Sequence, residues 1–130
     1  MITSTLVTSV SITSPTLVFT STDTGAPEGG SVVGQVNAIT TMALCNVGTV
    51  VNTNETTNAV VANIYLVKKA ASPDTVTFSN VIVSKLTIPA GETVFFSEER
   101  IVLDIGDKVY IGTNVSGDGI LAVTVSTLPV

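Results

Sequence analysis

The residues of this chain whose types and spacing could do chemistry are mostly carboxylates. Glu98 and Glu99 stand side by side in FSEERIV, Asp104 and Asp107 flank Ile105-Gly106, and Asp118 lies between two glycines. A converging pair could act as general acid and base, and two in one turn could begin a calcium site. The context argues against both. Adjacent residues on a strand point to opposite faces, so Glu98 and Glu99 do not converge; beside Arg100 they read as a solvated charged turn. Calcium needs roughly six or more oxygens, and Asp107 and Asp118 read as turn residues that bond nearby backbone. Histidine is absent from the whole chain. That removes the commonest general base, the Ser-His and Cys-His dyads and the commonest metal ligand. No P-loop, GxGxxG or zinc spacing occurs. The sequence therefore assigns no catalytic, cofactor-binding or metal-ligating residue, and no enzyme and no cofactor are expected.

Two other side-chain types could recognise a ligand or react. Tyr65 and Tyr110 could stack a sugar, but both lie in apolar strands, where packing with the hydroxyl at a rim explains them better. Cys45 is the single cysteine, so no intrachain disulfide can form. At the end of the apolar run TTMALC it reads as a small buried side chain rather than a nucleophile.

The elements that position these residues are strands. A chain of 130 residues suits one domain with a real core. It is 45% hydrophobic but only 12% charged, against roughly 25% for soluble domains at large. So few charges on so apolar a chain point to surface buried in an oligomer or larger assembly. No apolar run approaches the roughly 18 residues of a membrane helix. The first residues, MITSTLVTSVSITS, lack the basic and continuous apolar regions of a secretory signal. The sequons at Asn54 and Asn114 then read as incidental. The net charge is −5, with Lys68, Lys69, Lys85, Arg100 and Lys108 as the basic residues. Such a chain is a poor binder of phosphate backbones, so direct nucleic-acid binding is not expected.

β-Branched residues dominate and helical spacing is missing. Strands are expected within 3–20 (interrupted at Ser14-Pro15), 32–45, 59–68, 76–87, 93–96, 108–115 and 121–126. The strand at 59–68 is apolar on both faces and so reads as central and covered on both sides. The strand at 76–87 alternates around Phe78, Ile82 and Leu86. Loops are expected at 21–30 and at the Asn-rich, exposed segment 46–58, and a hairpin connector at 116–119. The fold class is all-β: an antiparallel β-sandwich of immunoglobulin-like or jelly-roll type with an N-terminal arm. Residues 1–30 form the arm and loop, possible material for pairing with a neighbouring subunit, and 31–130 the single sandwich domain.

From Cys45 onward the order of motifs resembles a family of small virion proteins of tailed bacteriophages. The matching residues are Leu44-Cys45-Asn46, the valine-rich strand 60–67, Ile88-Pro89-Ala90-Gly91-Glu92-Thr93, the stretch from Ile101 to Gly106-Asp107, and the closing strand 121–126. The N-terminal arm lies outside the resemblance, and the Asn-rich segment is longer than its compact pattern. The resemblance implies a virion structural protein assembled in the host cytoplasm: a capsid decoration (cement) protein, or a neck, tail or fibre component. Its partners would be further copies of itself, commonly as a trimer, and the major capsid protein. The other expectation is a carbohydrate- or receptor-binding module with an exposed aromatic patch near Tyr65 or Tyr110.

Overall fold

The computed structural model describes residues 2–8, 15–21, 36–48, 58–69, 76, 78–97, 101–115 and 120–129. These carry nine strands and one short 3-10 turn: β1 (Ile2–Val7), β2 (Thr16–Thr20), β3 (Asn37–Asn46), β4 (Val60–Val67), the turn Phe78–Asn80, β5 (Val81–Ile88), β6 (Thr93–Phe96), β7 (Ile101–Leu103), β8 (Lys108–Val115) and β9 (Leu121–Pro129). Glu98, Glu99, Arg100, Asp118, the loop 22–30, the connector 116–119 and most of the Asn-rich segment lie outside the described residues.

One sheet has the order β1-β9-β3-β6, with β7 also on β3; the other has the order β2-β8-β4-β5. All pairs are antiparallel. β6 runs along Met42–Cys45 and β7 along Asn37–Ile39, so the two together act as one interrupted strand beside β3. Counted so, the pairing works inward from the chain ends. The first strand pairs the last, the second pairs the second-last, β3 pairs β6/β7, and β4 pairs β5. That is a folded ribbon wound into a jelly roll, closed by β9 on β3 and β8 on β4. An immunoglobulin sandwich sets its first two strands side by side in one sheet; here β1 and β2 lie in opposite sheets. Residues 2–7 and 16–20, read from the sequence as part of an N-terminal arm, supply one edge strand to each sheet.

The core is the space between the sheets. Met42, Leu44, Val123 and Val125 enter it from one side, and Val60, Ile64, Val109 and Ile111 from the other; all are essentially buried. Each such side chain contributes on the order of 1.5–3 kcal/mol by leaving water. Strand β4 is flanked by β8 and β5, and its outward residues Asn63, Tyr65 and Val67 are buried too. The double-sided apolar pattern is thus that of a covered central strand, with the 3-10 turn packed against it.

The strand expected at 76–87 forms only from Val81. Its alternation also fails: Ile82 is exposed while Leu86 packs on the core. The cause is irregular pairing at two points: Ile82 is the extra residue between the pairs Ile64/Val83 and Tyr65/Val81, and a bulge lies beside it. Ala62 pairs Leu86 and Ile64 pairs Val83, so Ser84 and Lys85 together face the single residue Asn63. An extra residue reverses the side-chain parity beyond it.

Candidate functional site

Three places in the fold could carry function: a polar node at each end of the sandwich and the outward faces of the sheets.

At one end, Asp107 precedes β8 with its side chain only 2% exposed. Lys68 Nζ donates to Asp107 Oδ2 at 2.8 Å, the Asp104 amide donates to the same oxygen at 3.0 Å, and the Lys69 amide donates to Oδ1 at 3.0 Å. Burial pushes the Asp107 carboxyl up, but these donors outweigh it and hold it below the usual carboxylate value. The bond to Asp107, against some desolvation, holds Lys68 above the usual lysine value. Around this pair, the Ser21 amide donates to Asp107 O and the Gly106 amide to Ser21 O. Asn37 donates to Ser21 Oγ at 3.0 Å. Asp104, 74% exposed at its side chain, is 3.9 Å from Lys68 Nζ. The sequence reading of Asp107 as a turn-capping residue describes this geometry, and Lys68 adds an ion pair that the sequence spacing did not reveal. Both Asp107 oxygens already accept from nitrogen donors, so the node is a brace that joins β4, β7 and β8. An open depression lined by Lys68, Lys69, Asp104, Ile105 and Asp107 lies over it.

At the other end, the buried Asn46 closes β3. Its side-chain amide donates to Asn58 O at 2.8 Å and Ile88 O at 2.9 Å, while the Gly48 amide donates to Asn46 Oδ1 at 3.0 Å. Its backbone receives the Gly91 amide and donates to Glu92 O. Gly91 takes φ +80° at the corner of the Pro89-Ala90-Gly91 turn, a backbone conformation that glycine adopts readily. The motif pair Cys45-Asn46 and Pro89-Ala90-Gly91 is one clamp. Asn46 and Asn58, expected in an exposed segment, are buried; the Asn46 side chain bonds backbone groups there, one of them the Asn58 carbonyl.

Tyr65 and Tyr110 are cross-strand partners on the outward side of the second sheet. Tyr65 is buried and accepts at its hydroxyl from Asn63 Nδ2 at 3.2 Å; Tyr110 is half-buried. This is packing with an occupied hydroxyl, not an open stacking platform. Cys45 is half-exposed rather than buried, since its position in β3 faces outward from the first sheet.

That outward face is the distinctive surface. Its cross-strand rows are Leu6-Ala122-Cys45-Thr93, then Ser4-Thr124-Ala43-Phe95, then Ile2-Ser126-Thr41, with Leu128-Ala38-Val102 completing it. No charged residue stands at any of these outward positions. Its rims are large and apolar: Ile2 is 71% exposed, Phe95 64%, Leu6 57%, and Val102 and Leu128 55% each. Its centre holds small residues, Ala43, Thr124 and Ala122. The outward side of the second sheet carries Lys85 and Lys108.

No known protein family, characterised protein or solved structure matches this chain. The functional reading therefore rests on the geometry and on the motif resemblance.

In β9, Ala122, Thr124 and Ser126 alternate with the buried Leu121, Val123 and Val125, an alternation that does not say which strands lie beside them. A signal was present. No charge occurs from Met1 to Thr22, from Gly29 to Asn54, or after Asp118. These stretches supply β1, β3 and β9, which the topology sets side by side, and also β2, which lies in the other sheet.

Proposed function

We propose that this chain is a non-enzymatic structural subunit of a tailed-phage virion, a capsid decoration (cement) protein that stabilises the head by bridging capsomers. The observation that carries this reading is the charge-free outward face of the β1-β9-β3-β6/β7 sheet. Large exposed apolar side chains, Ile2, Leu6, Phe95, Val102 and Leu128, border a face with no charge at its described outward positions, a surface suited to docking. The motif resemblance supplies the setting: the virion, assembled in the host cytoplasm, with further copies of the chain and the major capsid protein as partners.

Jelly rolls serve viral shells, lectins and cupins alike, so the fold does not decide among them. The residues do the sorting. A chain without histidine lacks the usual cupin chemistry. A lectin needs an aromatic platform beside groups that bond sugar hydroxyls. Tyr65 is buried, and exposed Phe95 has Ala43, not an amide or carboxylate, as its cross-strand partner. A place in the neck or tail uses the same face and differs in copy number.

The test is quantitative mass spectrometry of purified virions of the phage that encodes the chain. The decoration role expects a copy number on the scale of the shell lattice. A copy number on the scale of one ring moves the protein to the neck or tail, and absence from virions refutes the reading.

A further inference from the structure

We infer that the charge-free sheet face is a contact between two copies of this chain, packed face to face about a two-fold axis. This rests on the association reading above and names its partner, where the motif resemblance implies a trimer.

Charge is the first argument. The chain carries −5 overall, so two copies meet with least repulsion where the surfaces that come together hold none of that charge. A cationic partner would be matched by carboxylates on the face, and an anionic one by lysines; at the described outward positions there are neither. A sheet whose described outward positions carry no charge is a surface on which a second acidic copy can pack without opposed like charges there.

Shape is the second. Rims of large side chains, Leu6 on β1 and Phe95 on β6, border a trough floored by Ala43, Ala122 and Thr124. A two-fold contact is isologous, with the same patch used twice. A rim of one copy can therefore fill the trough of the other, and the trough of the first receives the same rim in return. Two twisted sheets stack this way at about 10 Å.

Area is the third. Four strands about 4.8 Å apart, with outward runs about 20 Å long, give a flat footprint of roughly 400 Å² per copy. The pair buries about 800 Å² before side-chain relief is counted, below the roughly 1,200–2,000 Å² of standard specific interfaces. The expected contact is thus a reversible dimer that dissociates on dilution.

Sedimentation equilibrium of the full chain over a wide concentration range tests this. The expected result is a monomer–dimer equilibrium. Thr124→Glu, at an exposed central position, should weaken dimerisation on the order of a hundredfold, since it sets an unpaired charge against the partner's apolar rim, with the circular dichroism spectrum and melting unchanged. Thr124→Lys should do the same. Phe95→Ser should also weaken the dimer, which keeps the test decisive if a Thr124 variant misfolds. Ser84→Glu, which adds the same charge to the other sheet, should leave dimerisation intact. A wild-type trimer, a monomer at every concentration, or a dimer indifferent to Thr124→Glu and Phe95→Ser overturns the inference. A monomeric wild type whose Thr124→Glu variant is lost from virions refutes self-pairing and leaves the association reading standing. A monomeric wild type whose variant enters virions normally refutes both the self-pairing and the role of this face.

Discussion

The side-chain amide of Asn46 lies 2.9 Å from the backbone oxygen of Ile88, to which it donates, and the two residues are 42 positions apart. The same amide reaches Asn58 O, and Asn46 Oδ1 receives the Gly48 amide. One buried side chain therefore ties the end of β3 to the start of β4 and the end of β5. Asn46→Ala removes all three bonds and leaves buried polar groups without their partner. It should destabilise the fold by about 2–4 kcal/mol, seen in urea as a lower midpoint at unchanged slope. Asn46→Asp should cost at least as much, because a carboxylate would face two carbonyl oxygens. A midpoint within error of wild type for Asn46→Ala would reduce the clamp to decoration.

The ion pair at the opposite end should write itself into the pH dependence of stability. Asp107 has a folded pKa below its ordinary 3.8. Its contribution is thus present above the unfolded value and lost as pH falls through the folded one, in the range below about pH 4. Lys68 is raised above 10.5; its contribution is full below that value and fades as pH rises through the folded one. Stability should hold on a plateau between these limits and fall on both sides. Asp107→Asn should flatten the acid limb and, by spoiling bonds from Lys68, Lys69 and Asp104, lower the plateau by about 2 kcal/mol. Lys68→Met should flatten the alkaline limb. Chemical denaturation at intervals from pH 2 to 12 reads both, and an acid limb unchanged in Asp107→Asn contradicts the assignment.

The sequence was most legible where one rule acts alone. Strand β8 alternates without interruption and occupies 108–115, with Val109 and Ile111 inward, as its pattern predicts. Strand β5 was misread because a bulge opposite Asn63 leaves no local mark beyond an ordinary lysine. Asn46 and Asn58 looked like loop residues because asparagine in a polar run is usually solvated, and only tertiary folding brings the Asn58 and Ile88 carbonyls to the Asn46 amide. The charge-free stretches were visible, but their meaning was not. They are separate in sequence, and they form one surface only because the roll sets β1, β9 and β3 side by side.

Gly106 offers a test of how backbone and side chain share one turn. Its φ is +93°, and a Cβ placed there would sit 2.5 Å from Lys69 Cδ and 3.1 Å from Lys69 Cβ. Gly106→Ala should cost about 1–2 kcal/mol from the left-handed backbone, plus a smaller amount for displacing the Lys69 stem. Lys69→Ala alone should be nearly neutral, since its bond to Asp107 runs through the backbone amide. A double-mutant cycle should recover only the contact part of the loss. Full recovery in Lys69→Ala/Gly106→Ala would mean that the backbone conformation is not strained for alanine.

Lys85 carries the same kind of backbone demand without being glycine: its φ is +55° at the bulge of β5. The conformation is held because the Lys85 amide donates to Asn63 Oδ1 at 2.7 Å, while Asn63 Nδ2 is engaged with the Tyr65 hydroxyl. Relief of left-handed strain by glycine competes with the larger chain entropy glycine loses on folding. Lys85→Gly should therefore stabilise by only about 0.5 kcal/mol. Lys85→Val, with a branched side chain that tolerates positive φ poorly, should destabilise by about 1 kcal/mol or more. Asn63→Ala should remove the bond that pins the bulge. Amide hydrogen exchange should then rise at Lys85 and along β5, while β9 and β3 in the other sheet keep their protection. Equal protection of β5 in wild type and Asn63→Ala would show that the bulge is fixed by the strand pairing on either side of it and not by the asparagine.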